Sequence, residues 1–132
     1  MTANTNPIFT LIPVIGASTI TTANTARDGS GTIGTVLTGG TNGTRVTRIS
    51  IWSEGTNSNG VIRLWIKAGG GTYYLYKEIL APATTGSATV LEFNYILEFT
   101  GERAIILPSG YVLGASTHIG EPFSIIAEGA DY

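Results

Sequence analysis

Cysteine is absent from this chain, histidine occurs once, and Lys, Arg, Asp and Glu together supply only 12% of the residues. That charged share is about half of the roughly 25% usual in soluble domains. Without cysteine there is no disulfide framework, and one histidine with no thiolate cannot supply a first-row metal site. No apolar run approaches the roughly 18 residues that would mark a membrane-spanning helix. The opening Met1-Thr2-Ala3-Asn4-Thr5-Asn6-Pro7 has neither a positive leader nor an apolar stretch, so it does not read as a secretion signal. A net charge of −2 offers no concentrated basic face for nucleic acid. Thr, Ser, Asn and Gly fill the places where charge would normally sit. A neutral exterior on a foldable chain suggests that copies or partners cover much of it, because free-standing domains spread more charge over their surfaces. The expectation is therefore an assembly part before an enzyme.

What the chain does contain is apolar residues, at 42%, arranged mostly with a period of two. That content rules out a disordered chain, and 132 residues suit one domain. From Leu91 to Phe99, the residues Leu91, Phe93, Tyr95, Leu97 and Phe99 fall on one face, with Glu92, Asn94, Ile96 and Glu98 on the other, which predicts a long half-buried strand. Val61–Lys67 repeats the logic, with Ile62, Leu64 and Ile66 inward and Arg63, Trp65 and Lys67 outward. Val46–Trp52 is β-rich, with Ile49 and Ile51 on one side. Further strands are predicted at Ile8–Ile15, Ser18–Thr22, Thr32–Leu37, Tyr73–Leu80, Ala104–Leu107, Tyr111–Thr117 and Phe123–Ala127.

Turn chemistry separates them: Asp28-Gly29-Ser30-Gly31, Gly39 to Gly43, Asn57 to Gly60, Gly69-Gly70-Gly71 and Pro108-Ser109-Gly110. Gly69–Gly71 reads as a hairpin loop. Pro108 is expected at the first central position of a tight turn. Short strands at this spacing predict an all-β, two-sheet antiparallel sandwich, jelly-roll-like, over residues 9–132. The Asn/Thr-rich residues 1–8 are predicted as an extended N-terminal arm, either frayed or laid on a neighbour.

The chemistry-bearing motifs are thin. Gly29-Ser30-Gly31-Thr32-Ile33-Gly34 matches the dinucleotide pattern, yet that loop must open a helix, and the following residues read as strand and turn. No nucleophile elbow or acid partner accompanies His118, which reads as a structural or surface histidine. Glu92 and Glu98 lie about 20 Å apart along an extended strand, too far for a glycosidase acid–base pair at roughly 5–10 Å. No catalytic residue, cofactor or metal site is therefore expected. The outward Trp65, flanked by Arg63 and Lys67, reads three ways: core of a second layer, protein interface, or stacking platform for a ligand. Tyr74 and Tyr76 alternate together opposite Tyr73, in a pattern favoured at interfaces.

Several segments, taken in order, carry a resemblance to a known group. They are Asn6-Pro7-Ile8-Phe9-Thr10, the run Thr21 to Gly31, Gly39-Gly40-Thr41-Asn42-Gly43, Leu107-Pro108-Ser109-Gly110-Tyr111-Val112-Leu113 and Gly129-Ala130-Asp131-Tyr132. Together the chain resembles small tailed-bacteriophage virion proteins encoded among structural genes. The resemblance implies a capsid decoration or cement protein on the outside of the phage head, stabilising capsomer contacts. It would be homotrimeric, bound to the major capsid protein, and synthesised in the bacterial host cytoplasm. It implies no enzymatic activity, cofactor, nucleic-acid partner or membrane. A tail, fibre or glycan-binding receptor-recognition module is the alternative. The expected contact residues are Asn6, Pro7, Ile8 and Phe9 of the arm, with Trp65, Tyr74 and Tyr76.

Overall fold

Period-two alternation with glycine-rich breaks leaves the chain few options besides antiparallel strands. In the computed structural model, which describes residues 9–100 and 103–132, it forms nine of them. They are β1 (Ile12–Ile20), β2 (Gly34–Thr38), β3 (Thr44–Ser53), β4 (Gly60–Lys67), β5 (Tyr74–Ala81), β6 (Asn94–Glu98), β7 (Ile105–Leu107), β8 (Val112–Thr117) and β9 (Phe123–Asp131). No α-helix occurs among the described residues, and none there is long and apolar enough to cross a membrane.

Two antiparallel sheets result. The first runs β1-β9-β3-β6, with β7 pairing the other end of β3 beside β6. The second runs β2-β8-β4-β5. The pairings are nested: β1 with β9, β2 with β8, β3 with β6 and β7, and β4 with β5. The chain thus doubles back on itself around the β4–β5 hairpin, and β9–β3 and β8–β4 pairings wrap the doubled ribbon into two layers.

The inner faces of both sheets meet in one apolar cluster. Val46, Ile49, Ile51, Phe123, Ile125 and Ala127 come from the first sheet, and Ile62, Leu64, Ile79, Leu113 and Ala115 from the second. Phe93 stands edge-on to Phe123 at 6.4 Å between centroids, a favourable aromatic geometry. The layers also approach closely at one side. A methyl group on Gly16 of β1 would overlap the carbonyl oxygen of Val36 in β2, so only glycine permits that approach.

The structure redraws several expected elements. Separate strands were expected at Ile8–Ile15 and Ser18–Thr22, but residues 12–20 form the single β1, because pairing with β9 continues unbroken from Ile12↔Asp131 to Ile20↔Phe123. The strand expected over Leu91–Phe99 shortens to β6 (Asn94–Glu98). Phe93, Tyr95, Leu97 and Phe99 still pack on the core, whereas Leu91 is exposed. Gly69–Gly71 does turn β4 into β5, closed by the Gly71 N–H donating to the Ala68 carbonyl. Pro108 takes the first corner of its turn and not a central one, since its carbonyl accepts from Tyr111 N–H, with Gly110 at φ 76° inside.

The segment 21–33 joins β1 to β2 without regular structure of its own. It starts by pairing Ala23 with Thr117 of β8, and Arg27 then reaches Glu78 of β5 at 3.1 Å. Because β4 lies between β8 and β5, this strap crosses the outer side of β4. Buried Asn24 pins it: Nδ2 donates to the Ser30 and Thr32 carbonyls, both at 3.0 Å, and Oδ1 accepts from Ala26 N–H. Asp28 caps the bend by accepting from the Ser30 hydroxyl and N–H, which together hold its carboxyl below the usual range.

Candidate functional site

The two sheets differ sharply on their outer sides. Beneath the strap, Trp65 is completely buried, its indole N–H donating to the Ser116 hydroxyl at 2.9 Å. Beside it Arg63 is only 3% exposed, and its Nε donates to Glu78 at 2.9 Å. Tyr73 lies under Lys67, whose ammonium sits 4.6 Å from the ring centroid. The outer side of the second sheet is thus a second, smaller layer of packing.

Trp65 is therefore a correction to the expected contact set. An indole with no exposed surface can neither stack on a ligand nor enter a subunit contact, and the strap is the physical reason. The G-x-G-x-x-G match falls on the same strap. Gly29 and Gly31 take positive φ, and Gly34 opens β2, so the pattern serves turns. His118 is half-buried with Nδ1 shielded and unpaired, while its N–H donates to Val61. Among the described residues no group of three or more His, Cys, Asp or Glu is placed to hold a metal.

The first sheet, in contrast, leaves its outer face bare. Strand registers fix what stands there, row by row. Thr19, Ser124, Trp52 and Asn94 form one row, followed by Ala17, Ile126, Ser50 and Ile96. Next come Ile15, Glu128, Arg48 and Glu98, and then Pro13, Ala130, Arg45 and Ile106. Leu11 continues β1, its N–H donating to Asp131. Ile15 is 72% exposed, and Leu11, Ile96, Ile106 and Trp52 are exposed too. Phe9, Leu11, Asn42, Ile106 and Tyr132 line a shallow cleft of about 540 Å³ at that end of the face.

Charge enters this apolar field chiefly as one row across its middle. Arg48 Nε stands 3.9 Å from Glu98 Oε1, is shielded from water, and has no hydrogen-bond partner. Glu128 faces Arg48 across the β3–β9 ladder. Thr47 bulges out of β3 beside this row, its hydroxyl donating to the Glu128 carbonyl. At the far end Glu54 accepts from the Thr19 and Ser124 hydroxyls at 3.0 and 2.5 Å.

A second uncovered region lies at the free edge of β5. Tyr74 is 72% exposed, and Leu75, Tyr76 and Leu80 are exposed alongside it. Register slips here, Leu75 pairing Trp65 and Lys77 pairing Leu64, so Tyr76 is the extra residue of a bulge. Partial burial raises its phenol above the ordinary tyrosine value. Of the expected contact residues, Phe9, Tyr74 and Tyr76 are on the surface, and Asn6, Pro7 and Ile8 lie outside the described residues. Sequence reasoning missed the bare face because its members come from five strands whose order periodicity does not encode. No protein-family model and no curated protein matches the chain.

Proposed function

We propose that this protein is a structural assembly component: a capsid decoration or cement protein on the outside of a tailed-phage head, acting by contact and not by catalysis. The observation that carries the reading is the bare outer face of the first sheet. Monomeric soluble proteins rarely leave broad apolar fields open, and such fields mark sites of association. The low charge of the whole chain and its resemblance to small virion proteins point the same way. We read the sandwich, residues 9–132, as a jelly roll. Its support is the nested pairing of a doubled ribbon wrapped into sheets β1-β9-β3-β6 and β2-β8-β4-β5. The extended arm expected at residues 1–8 lies outside the described residues and belongs to the same proposal.

Two contact regions divide the work. The sheet face serves self-association, while the β5 edge with Tyr74 and Tyr76, together with the arm, meets the major capsid protein. The glycan-binding alternative rested on Trp65 as a platform, and that indole is buried. The test is co-sedimentation of the purified chain with tailed-phage heads stripped of small surface proteins, followed by density mapping. The expected result is bound density between capsomers, lost in Tyr74→Asp. Absence of binding, or density confined to the tail, overturns the capsid reading.

A further inference from the structure

We propose that the outer face of the first sheet is where two copies of this chain meet, related by a two-fold axis running along the strands between β9 and β3. This rests on reading the face as a contact surface, and goes further by naming its occupant and geometry.

Charge placement selects the occupant. The four-strand width puts β9 and β3 at the centre, and the row Ile15–Glu128–Arg48–Glu98 crosses midway along the face. Rotation about an axis parallel to the strands lays β9 of one copy over β3 of the other and keeps the rows in place. Glu128 then stands over the second copy's Arg48, and Arg48 over its Glu128. The Arg48 side chain, 41% exposed beside Glu98, gains a second carboxylate at the middle of the contact. A two-fold axis perpendicular to the strands would instead set Arg48 on Arg48 and Glu128 on Glu128, which like-charge repulsion forbids.

The apolar rows match under the same rotation. Ala17-Ile126-Ser50-Ile96 meets its own reverse, so Ala17 lies over Ile96 and Ile126 over Ser50. Glu98 falls opposite Ile15 at the rim, where it keeps its water.

Area supports the pairing as well. Four strands at about 4.8 Å spacing and nine residues at about 3.3 Å rise give a face of roughly 570 Å². Two such faces bury roughly 1,100 Å², just above the roughly 1,000 Å² expected of a specific interface. Aligned sheets pack about 30° apart, and a central charged row sits at the pivot, where that rotation displaces it least.

The experiment uses the intact chain. Light scattering should give twice the 13.8 kDa chain mass. Arg48→Glu and Glu128→Arg should each weaken association at least about tenfold, and the combined swap should restore it to within about threefold, since each new charge then meets its opposite. Because the parent has no cysteine, Ala17→Cys and Ile96→Cys chains can be mixed with a short bis-maleimide matched to the roughly 10 Å between packed sheets. Cross-linked dimer should appear in the mixture and in neither chain alone. Circular dichroism of each variant separates lost association from lost fold. A monomer, a trimer such as the phage resemblance implies, or cross-linking of Ala17→Cys with itself overturns the pairing. A monomer that still binds phage heads would leave the decoration reading standing, and a dimer that ignores heads would overturn that reading alone.

Discussion

The two tryptophans have opposite fates, and the difference is measurable. Trp65 is wholly enclosed with its indole N–H satisfied by Ser116, whereas Trp52 stands on the bare face at 37% exposure. Trp65→Ala should cost about 3–5 kcal/mol, the range for truncating a buried aromatic. Trp52→Ala should cost under about 1 kcal/mol in the isolated chain. Urea unfolding of both variants checks this, and equal losses would contradict the strapped layer. Arg63 makes a second test. Its guanidinium is nearly closed off from water and leans on Glu78, a carboxylate shared with the exposed Arg27. Removing the acid strands a buried charge, which is far worse than removing an exposed partner. With Glu78 about a third exposed, screening trims the cost, so Glu78→Gln should lose about 1–3 kcal/mol and Arg27→Ala about 0–1 kcal/mol. Sequence left Trp65 open among three readings because alternation gives the side of a strand and not what covers it.

At the scale of elements, the strands were legible and their covering was not. Val46–Trp52 and Val61–Lys67 read correctly because Ile49, Ile51, Ile62 and Leu64 alternate cleanly into the core. The strap over β4 had no such signal: Asn24 holds it through two carbonyls and one N–H, contacts that no periodicity announces. β1 was expected as two strands, Ile8–Ile15 and Ser18–Thr22, and Gly16 falls between them. Its real role is spatial, since any side chain there collides with the Val36 carbonyl and Leu37 in β2. Gly16→Ala should therefore destabilise by about 1–3 kcal/mol, the usual cost of forcing volume into a closed contact. Ala17→Ser, one residue on and facing outward, should be near neutral. Chemical denaturation of the pair checks it, and a neutral Gly16→Ala would mean the layers do not close there. The bulge at Tyr76 has a matching logic. It breaks the regular edge of β5 and so discourages open-ended strand addition, while Tyr74 and Tyr76 stay exposed.

Taken whole, the molecule covers the outer side of one sheet with its own chain and leaves apolar residues of the other exposed. That asymmetry predicts how heat unfolding should depend on concentration. A chain that unfolds from a monomer has one melting temperature at every concentration, whereas a paired chain must also dissociate, so mass action raises its midpoint as protein is added. Each tenfold increase is worth about 1.4 kcal/mol per dimer, and unfolding entropy of about 2.1 cal/mol/K per residue converts that into a rise of about 2–3 °C. The slope, not the midpoint itself, is the diagnostic quantity. Arg48→Glu also changes intrachain pairing with Glu98 and Glu128, so its midpoint will move for reasons unrelated to association. Its slope should fall to zero, because two acidic rows then face each other, and the slope should return when Glu128→Arg is added. Calorimetry over two decades of concentration reads all three chains. A flat midpoint in the parent would mean that the bare face stays wet, and the apolar rows of β1, β9, β3 and β6 would then need a different partner to explain them.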